Sequence, residues 1–132
     1  MQVGDIRTWE RTFTTNDARL FEQVSKDHGI QYILPDEQGR IMVHGLLTAT
    51  LPSKISGELN YVAREMALDF VRPVYIGDTI SCKILITNVQ DNEHDTHISA
   101  DLSCYNQNDE IVLTGHTTGV LRDYKSMVVG LN

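Results

Sequence analysis

The sequence predicts an α+β domain, an antiparallel sheet wrapped around one long buried helix. Three observations carry that reading. In the second half of the chain apolar residues alternate with polar ones through three successive stretches, the period-two signature of strands with one covered face. The run from Met42 to Leu51 is apolar nearly all round, which marks a helix without a solvent side. The chain has 132 residues, enough for one domain that buries roughly two thirds of its unfolded surface without disulfides or metal. A single domain over 1–132 is expected, with its core at about 3–121 and an extension over 122–132.

Taken in order, Ile6 to Phe13 reads as a short strand. Thr14-Thr15-Asn16-Asp17 is a cluster of capping residues, whose side-chain oxygens can accept from the free N–H groups of a first helical turn. Ala18, Leu20, Phe21 and Val24 then fall on one stripe of a helix from about Asn16 to Lys26, with Gly29 as its stop. Gly29 to Met42 is a loop, because Pro35-Asp36-Glu37-Gln38-Gly39 suits neither a helix interior nor a central strand. The buried helix follows, and Pro52, which lacks an N–H, should kink or end it. From Glu65 to Val71, Met66, Leu68 and Phe70 alternate with polar neighbours, and residues 72–78 form a turn. Ile80, Cys82, Ile84 and Ile86 face inward in a strand from Thr79 to Val89. Ile98, Ala100, Leu102 and Cys104 do so from Thr96 to Asn106, and Ile111 to Leu121 is the last strand. Polar Gln90–Asp95 and Asn106–Asp109 supply the hairpin turns. Beyond Arg122, the apolar Met127, Val128, Val129 and Leu131 could pack on a partner.

Eleven Lys and Arg against 18 Asp and Glu give a formal charge of −7, which argues against nucleic acid and anionic membranes as partners. No apolar run approaches the roughly 18 residues needed to span a bilayer, and Met1 to Asp5 lack the order of a secretory signal. A cytoplasmic location is expected. Cys82 and Cys104 form no CxxC pair and fall on inward strand positions, so buried free thiols are expected. His94, His97 and His116 lack the spacing of a metal triad, and no metal or other cofactor is expected.

Three segments, Val43 to Ala49, Phe70 to Thr79 and Ser25 to Asp27, resemble the MaoC-like dehydratases and (R)-specific enoyl-CoA hydratases, a hotdog-fold family. Val43-His44-Gly45-Leu46-Leu47-Thr48-Ala49 resembles the "VHG" opening of that family's central helix. Phe70-Val71-Arg72-Pro73-Val74-Tyr75-Ile76-Gly77-Asp78-Thr79 resembles its "F-x-R-P-V-x-x-G-D" turn, and Ser25-Lys26-Asp27 resembles the "SGD" that begins the hydratase motif. The likeness runs from about Val3 to Leu121. It implies a trans-2-enoyl-CoA substrate and an (R)-3-hydroxyacyl-CoA product. The third segment then departs from the motif. Gly29 and Ile30 replace its Asn and Pro, and its His position holds Tyr32, or Gln31 if the loop is one residue shorter.

Hydration of an enoyl thioester needs a base for water, a proton for C2, and support for charge on the thioester oxygen. Gly45, in the first turn of the buried helix, suits the third need, since unpaired N–H groups point outward there. The alternative is that the glycine simply permits close packing. Asp27 suits the base: it stands at a helix carboxyl end, where a carboxylate is locally unfavourable. With the resemblance, Asp27 and Gly45 are expected to be catalytic, and Gln31, Tyr32 and His44 to bind substrate. Arg64, Arg72 and Lys83 are candidate contacts for the phosphates of coenzyme A. Asp27 and Gly45 would equally serve a hotdog acyl-CoA thioesterase, and the missing His leaves a non-catalytic acyl-CoA binder as a third reading. A homodimer is expected, because one such sheet leaves an open edge and part of its helix uncovered.

Overall fold

Alternation along the strands dictates the sheet. The computed structural model describes residues 1–122. Its strands are β1 (Ile6–Thr12), β2 (Tyr61–Phe70), β3 (Thr79–Asp91), β4 (Asp95–Tyr105) and β5 (Ile111–Arg122). They form one antiparallel sheet in the order β1-β3-β4-β5-β2. Ile80, Cys82, Ile84 and Ile86 on β3, and Ile98, Ala100, Leu102 and Cys104 on β4, are buried on one face, as their period-two spacing requires. The expected extension with Met127, Val128, Val129 and Leu131 lies outside the described residues.

The helices are α1 (Thr15–Ser25), α2 (Gly45–Thr48) and α3 (Thr50–Glu58), with a 3-10 turn at Ile30–Tyr32. Together α2 and α3 make the buried central helix. Leu47, Leu51 and Ile55, spaced one turn apart, present a buried stripe to the sheet. The helix begins at Gly45 rather than Met42, because Met42 is drawn into a bridge with Tyr75 and the Val43 N–H donates to the Val74 carbonyl at 2.7 Å. Its interruption falls at Ala49, three residues before Pro52. The physical cause is still the proline, whose missing N–H and bulky ring act on the carbonyl four residues earlier, that of Thr48. The helix then continues through Pro52 to Glu58.

Helix α1 departs from expectation at its end and on its face. Its capping box is complete: the Thr14 hydroxyl accepts from the Asp17 N–H, and the Asp17 carboxylate accepts from the Thr14 N–H at 2.9 Å. It stops at Ser25, ahead of Gly29, because Lys26 turns into the left-handed region (φ 59°, ψ 18°) and donates its N–H to the Glu22 carbonyl. Of the expected apolar stripe only Ala18 is buried, while Leu20 is exposed and Val24 is 84% exposed. The helix meets the core through buried Ala18 and half-buried Phe21.

Strand β2 starts at Tyr61, four residues before the Glu65 that the alternation marks. A register irregularity between Ala63 and Glu65 breaks the period there, which hides the first half of the strand from pattern reading. Its close approach to β5 depends on two glycines. A Cβ on Gly119 would lie 2.2 Å from the Val62 carbonyl oxygen, and one on Gly115 would lie 2.5 Å from that of Ala67. Cys82 and Cys104 face each other across β3 and β4 as buried free thiols. The hydrogen bond with Cys104 and burial push the Cys82 thiol far up, so it stays protonated. No helix among the described residues is long and apolar enough to cross a membrane.

Candidate active site

A cavity of about 670 Å³ opens where the end of α1, the 3-10 turn, the start of α2 and the segment after β2 meet. Phe21, Phe70, Val74 and Val112 supply apolar wall, and Asp27, Tyr32, His44, Gly45, Thr48 and Arg72 supply the polar and backbone groups. Four of the five site residues expected from the sequence therefore line one cavity. The fifth, Gln31, is exposed and does not line it. Its carbonyl accepts from the Met42 N–H at 3.1 Å, which ties the 3-10 turn to the strand-like entry of the central helix.

His44 is the best-held side chain of the site. It precedes α2 and is only 2% exposed. Its Nε2–H donates to the Asp27 carbonyl at 3.0 Å. A carbonyl only accepts, so this bond sets the tautomer and leaves the Nδ1 lone pair as the free position of the neutral ring. The Tyr32 ring stacks on the imidazole with centroids 3.8 Å apart, and Phe21 meets it at 5.0 Å. Tyr32 thus spends one face of its ring on His44. Among the described residues Nδ1 of His44 is buried without a hydrogen-bond partner, and so is the hydroxyl of Thr48.

Asp27 follows the left-handed Lys26 and is exposed to solvent at the cavity. Its N–H donates to the Ser25 hydroxyl and its Oδ1 accepts from the Gly29 N–H, both at 3.1 Å. This small turn fixes the carboxylate and leaves Oδ2 without a partner among the described residues. Gly45 is the first residue of α2, so its N–H has no acceptor within the helix. The space a side chain would fill is taken by Phe70: a Cβ on Gly45 would lie 2.7 Å from its ring. Phe70 is 53% exposed, so the ring is open to solvent on its far side.

Of the candidate phosphate contacts only Arg72 reaches the cavity. Its Nη1 donates to the Ile111 carbonyl at 2.7 Å, and its Nε lies 3.7 Å from Glu110. Arg64 and Lys83 are exposed elsewhere on the sheet. Thr48 was not legible in advance, since a threonine in an apolar helix looks like packing until its hydroxyl is found unpaired. Among the described residues no group of three or more His, Cys, Asp or Glu could hold a metal ion.

Comparison with solved structures adds the decisive likeness. An (R)-hydratase from A. caviae superposes with a TM-score of 0.82 at 20% identity, covering 93% of this chain and 98% of that one. The R-hydratase PhaJ1 of Pseudomonas aeruginosa superposes at 0.80 with 19% identity, over 92% of this chain and 82% of that one. The fold is the hotdog of the (R)-hydratases and MaoC-like dehydratases. In sequence, the hotdog chain is 26% identical over 129 residues to a mitochondrial 3-hydroxyacyl-[acyl-carrier-protein] dehydratase of Arabidopsis thaliana, covering 92% of this chain and 78% of that protein. No family model matches the chain.

Proposed function

We propose that this hotdog protein is a hydro-lyase of acyl thioesters, an (R)-specific enoyl-CoA hydratase that also runs the reverse dehydration. One observation carries the reading: a single cavity gathers Asp27, Tyr32, His44 and Gly45 beside an apolar wall fit for an acyl chain. The relatives, hydratases and a dehydratase by name, support the same reaction class.

The chemistry is assigned as follows. The Asp27 carboxylate takes a proton from water as the water oxygen bonds to C3. The C2=C3 pair shifts toward the thioester, whose oxygen gathers negative charge near the Gly45 N–H. The Asp27 carboxyl then returns the proton to C2, so that one water is added in balance. Tyr32 and His44 shape the wall against the acyl group, and Arg72 at the rim takes a phosphate of coenzyme A. Gln31 acts through the backbone tie that holds the Tyr32 turn. The working form is a homodimer. Two buried free thiols suit a reducing compartment, and we take the cytoplasm as its place of work.

The test offers the protein crotonyl-CoA and, separately, butyryl-CoA. Loss of the enoyl absorbance is expected, with Asp27→Asn lowering the rate about 100-fold. Release of free thiol from butyryl-CoA would instead make the protein a thioesterase. Binding of butyryl-CoA without either reaction would make it an acyl-CoA binder, the outcome that the absence of the motif's His favours.

A further inference from the structure

Nearly all buried polar groups in folded proteins have a hydrogen-bond partner, because an unpaired one forfeits its hydration. Among the described residues two side-chain atoms break this rule, His44 Nδ1 and Thr48 Oγ1. They stand one helical turn apart, on residues that are each 2% exposed, and both residues line the cavity. A threonine inside a helix has an easy local solution, donating its hydroxyl to a carbonyl three or four residues back. The half-buried hydroxyls of the same central helix do this: Thr50 donates to the Leu47 carbonyl at 2.6 Å and Ser56 to that of Pro52 at 3.1 Å. Thr48 does not. His44 likewise spends its Nε2–H on Asp27 and keeps Nδ1 free. The two atoms complement each other, an acceptor that cannot donate and a hydroxyl that can do either.

We propose that His44 Nδ1 and Thr48 Oγ1 together seat the reacting oxygen, the water added to C3 or the 3-hydroxyl removed in reverse. One O–H of that water donates to Nδ1, and the Thr48 hydroxyl donates to its oxygen. The second O–H is left for Asp27, and the oxygen lone pair for C3. This assignment rests on the hydratase reading and deepens it. It supplies, from the central helix, a hold on the water that the missing motif His does not give.

The proposal separates itself from a packing role through stability. If the Thr48 hydroxyl were structural, removing it would weaken the fold. If it is kept for the reaction, the isosteric Thr48→Val removes an unpaired buried group, and the fold should gain or stay level. The experiment measures crotonyl-CoA kinetics and thermal midpoints for wild type, Thr48→Val, Thr48→Ser and His44→Gln. Glutamine keeps an N–H for the Asp27 carbonyl and deletes the Nδ1 position.

Thr48→Val should lose about tenfold in kcat with KM held within about threefold and an equal or higher midpoint. Thr48→Ser should stay near wild type in both. His44→Gln should lose about 100-fold in kcat. An unchanged kcat for Thr48→Val, or a loss of kcat that comes with a lower midpoint, overturns the water seat while the hydratase reading stands. A wild-type protein that leaves crotonyl-CoA untouched overturns both.

Discussion

Lys26 carries a cost that its neighbours explain. It caps α1 in the left-handed region at φ 59°, where an L side chain crowds its own backbone by about 1 kcal/mol. The "SGD" pattern that Ser25-Lys26-Asp27 resembles puts a glycine at this point, and glycine reaches that conformation freely. The turn matters because it delivers Asp27 to the cavity, with Oδ1 on the Gly29 N–H. Lys26→Gly should therefore raise stability by about 0.5 kcal/mol at most, after the larger unfolded-state entropy of glycine is counted. The urea midpoint should rise with an unchanged slope, and a fall would show that the lysine side chain contributes more than its strain costs. The same stretch shows what a sequence reveals of a site. That Asp27 and Gly45 share one cavity was legible, because motif position and helix-end electrostatics both singled them out. The partnerless state of His44 Nδ1 and Thr48 Oγ1 was not, because it depends on what fails to pack against them. Nor was the Phe70 ring over Gly45, whose contact spans the chain from one helix start to a strand end.

At the scale of elements, α1 hangs on its amino-terminal cap. With Val24 exposed and only Ala18 buried, packing holds it weakly, so its capping box carries an unusual share of its stability. Burial pulls the Asp17 carboxyl up, but hydrogen bonds from the Thr14 backbone and hydroxyl, together with Arg11, outweigh it and hold the group below its ordinary 3.8. In the unfolded chain the carboxyl keeps the ordinary value and protonates first. The cap's contribution is thus present in full above that value and is lost as pH falls through the lowered one. Asp17→Ala should cost about 1 kcal/mol at neutral pH, and the gap to wild type should close as pH falls through the lowered value of the Asp17 carboxyl. Urea midpoints measured across that range decide it, since a gap that persists in acid would assign the loss to packing. Elements held by packing were the readable ones. β3 and β4 announce themselves because one face is dry, while Tyr61 to Arg64 of β2 sit before a register break and show no period. For α1 the pattern gave the helix and the wrong burial, since spacing puts Leu20 and Val24 on one stripe without saying whether anything covers it.

The whole molecule has two sheet edges, and they differ. On β1, Arg7, Trp9 and Arg11 stand opposite Ile84, Cys82 and Ile80, so they share the covered face. There α3 reaches the strand through the Lys54 ammonium, 3.8 Å from the Trp9 ring centroid, while the residues of β1 stay exposed and the arginines guard the edge by charge. On β2, Met66 stands opposite Thr117 and Phe70 opposite Leu113, again on the covered face because both partners are buried. Yet Met66 is 44% and Phe70 53% exposed. The central helix leaves this end of the sheet bare, and the strand's free backbone groups invite another strand. A second copy joined β2 to β2 about a two-fold axis would extend the sheet, cover both side chains and enclose the cavity that Phe70, Val71 and Arg72 help to line. Sedimentation at micromolar concentration should accordingly give a dimer. Met66→Asp, which puts a charge on that face, should give a monomer with intact far-UV circular dichroism and reduced turnover of crotonyl-CoA. A monomeric wild type would remove the dimer. A Met66→Asp protein that remains dimeric would move the contact away from β2, and the cavity would then be completed by its own chain alone.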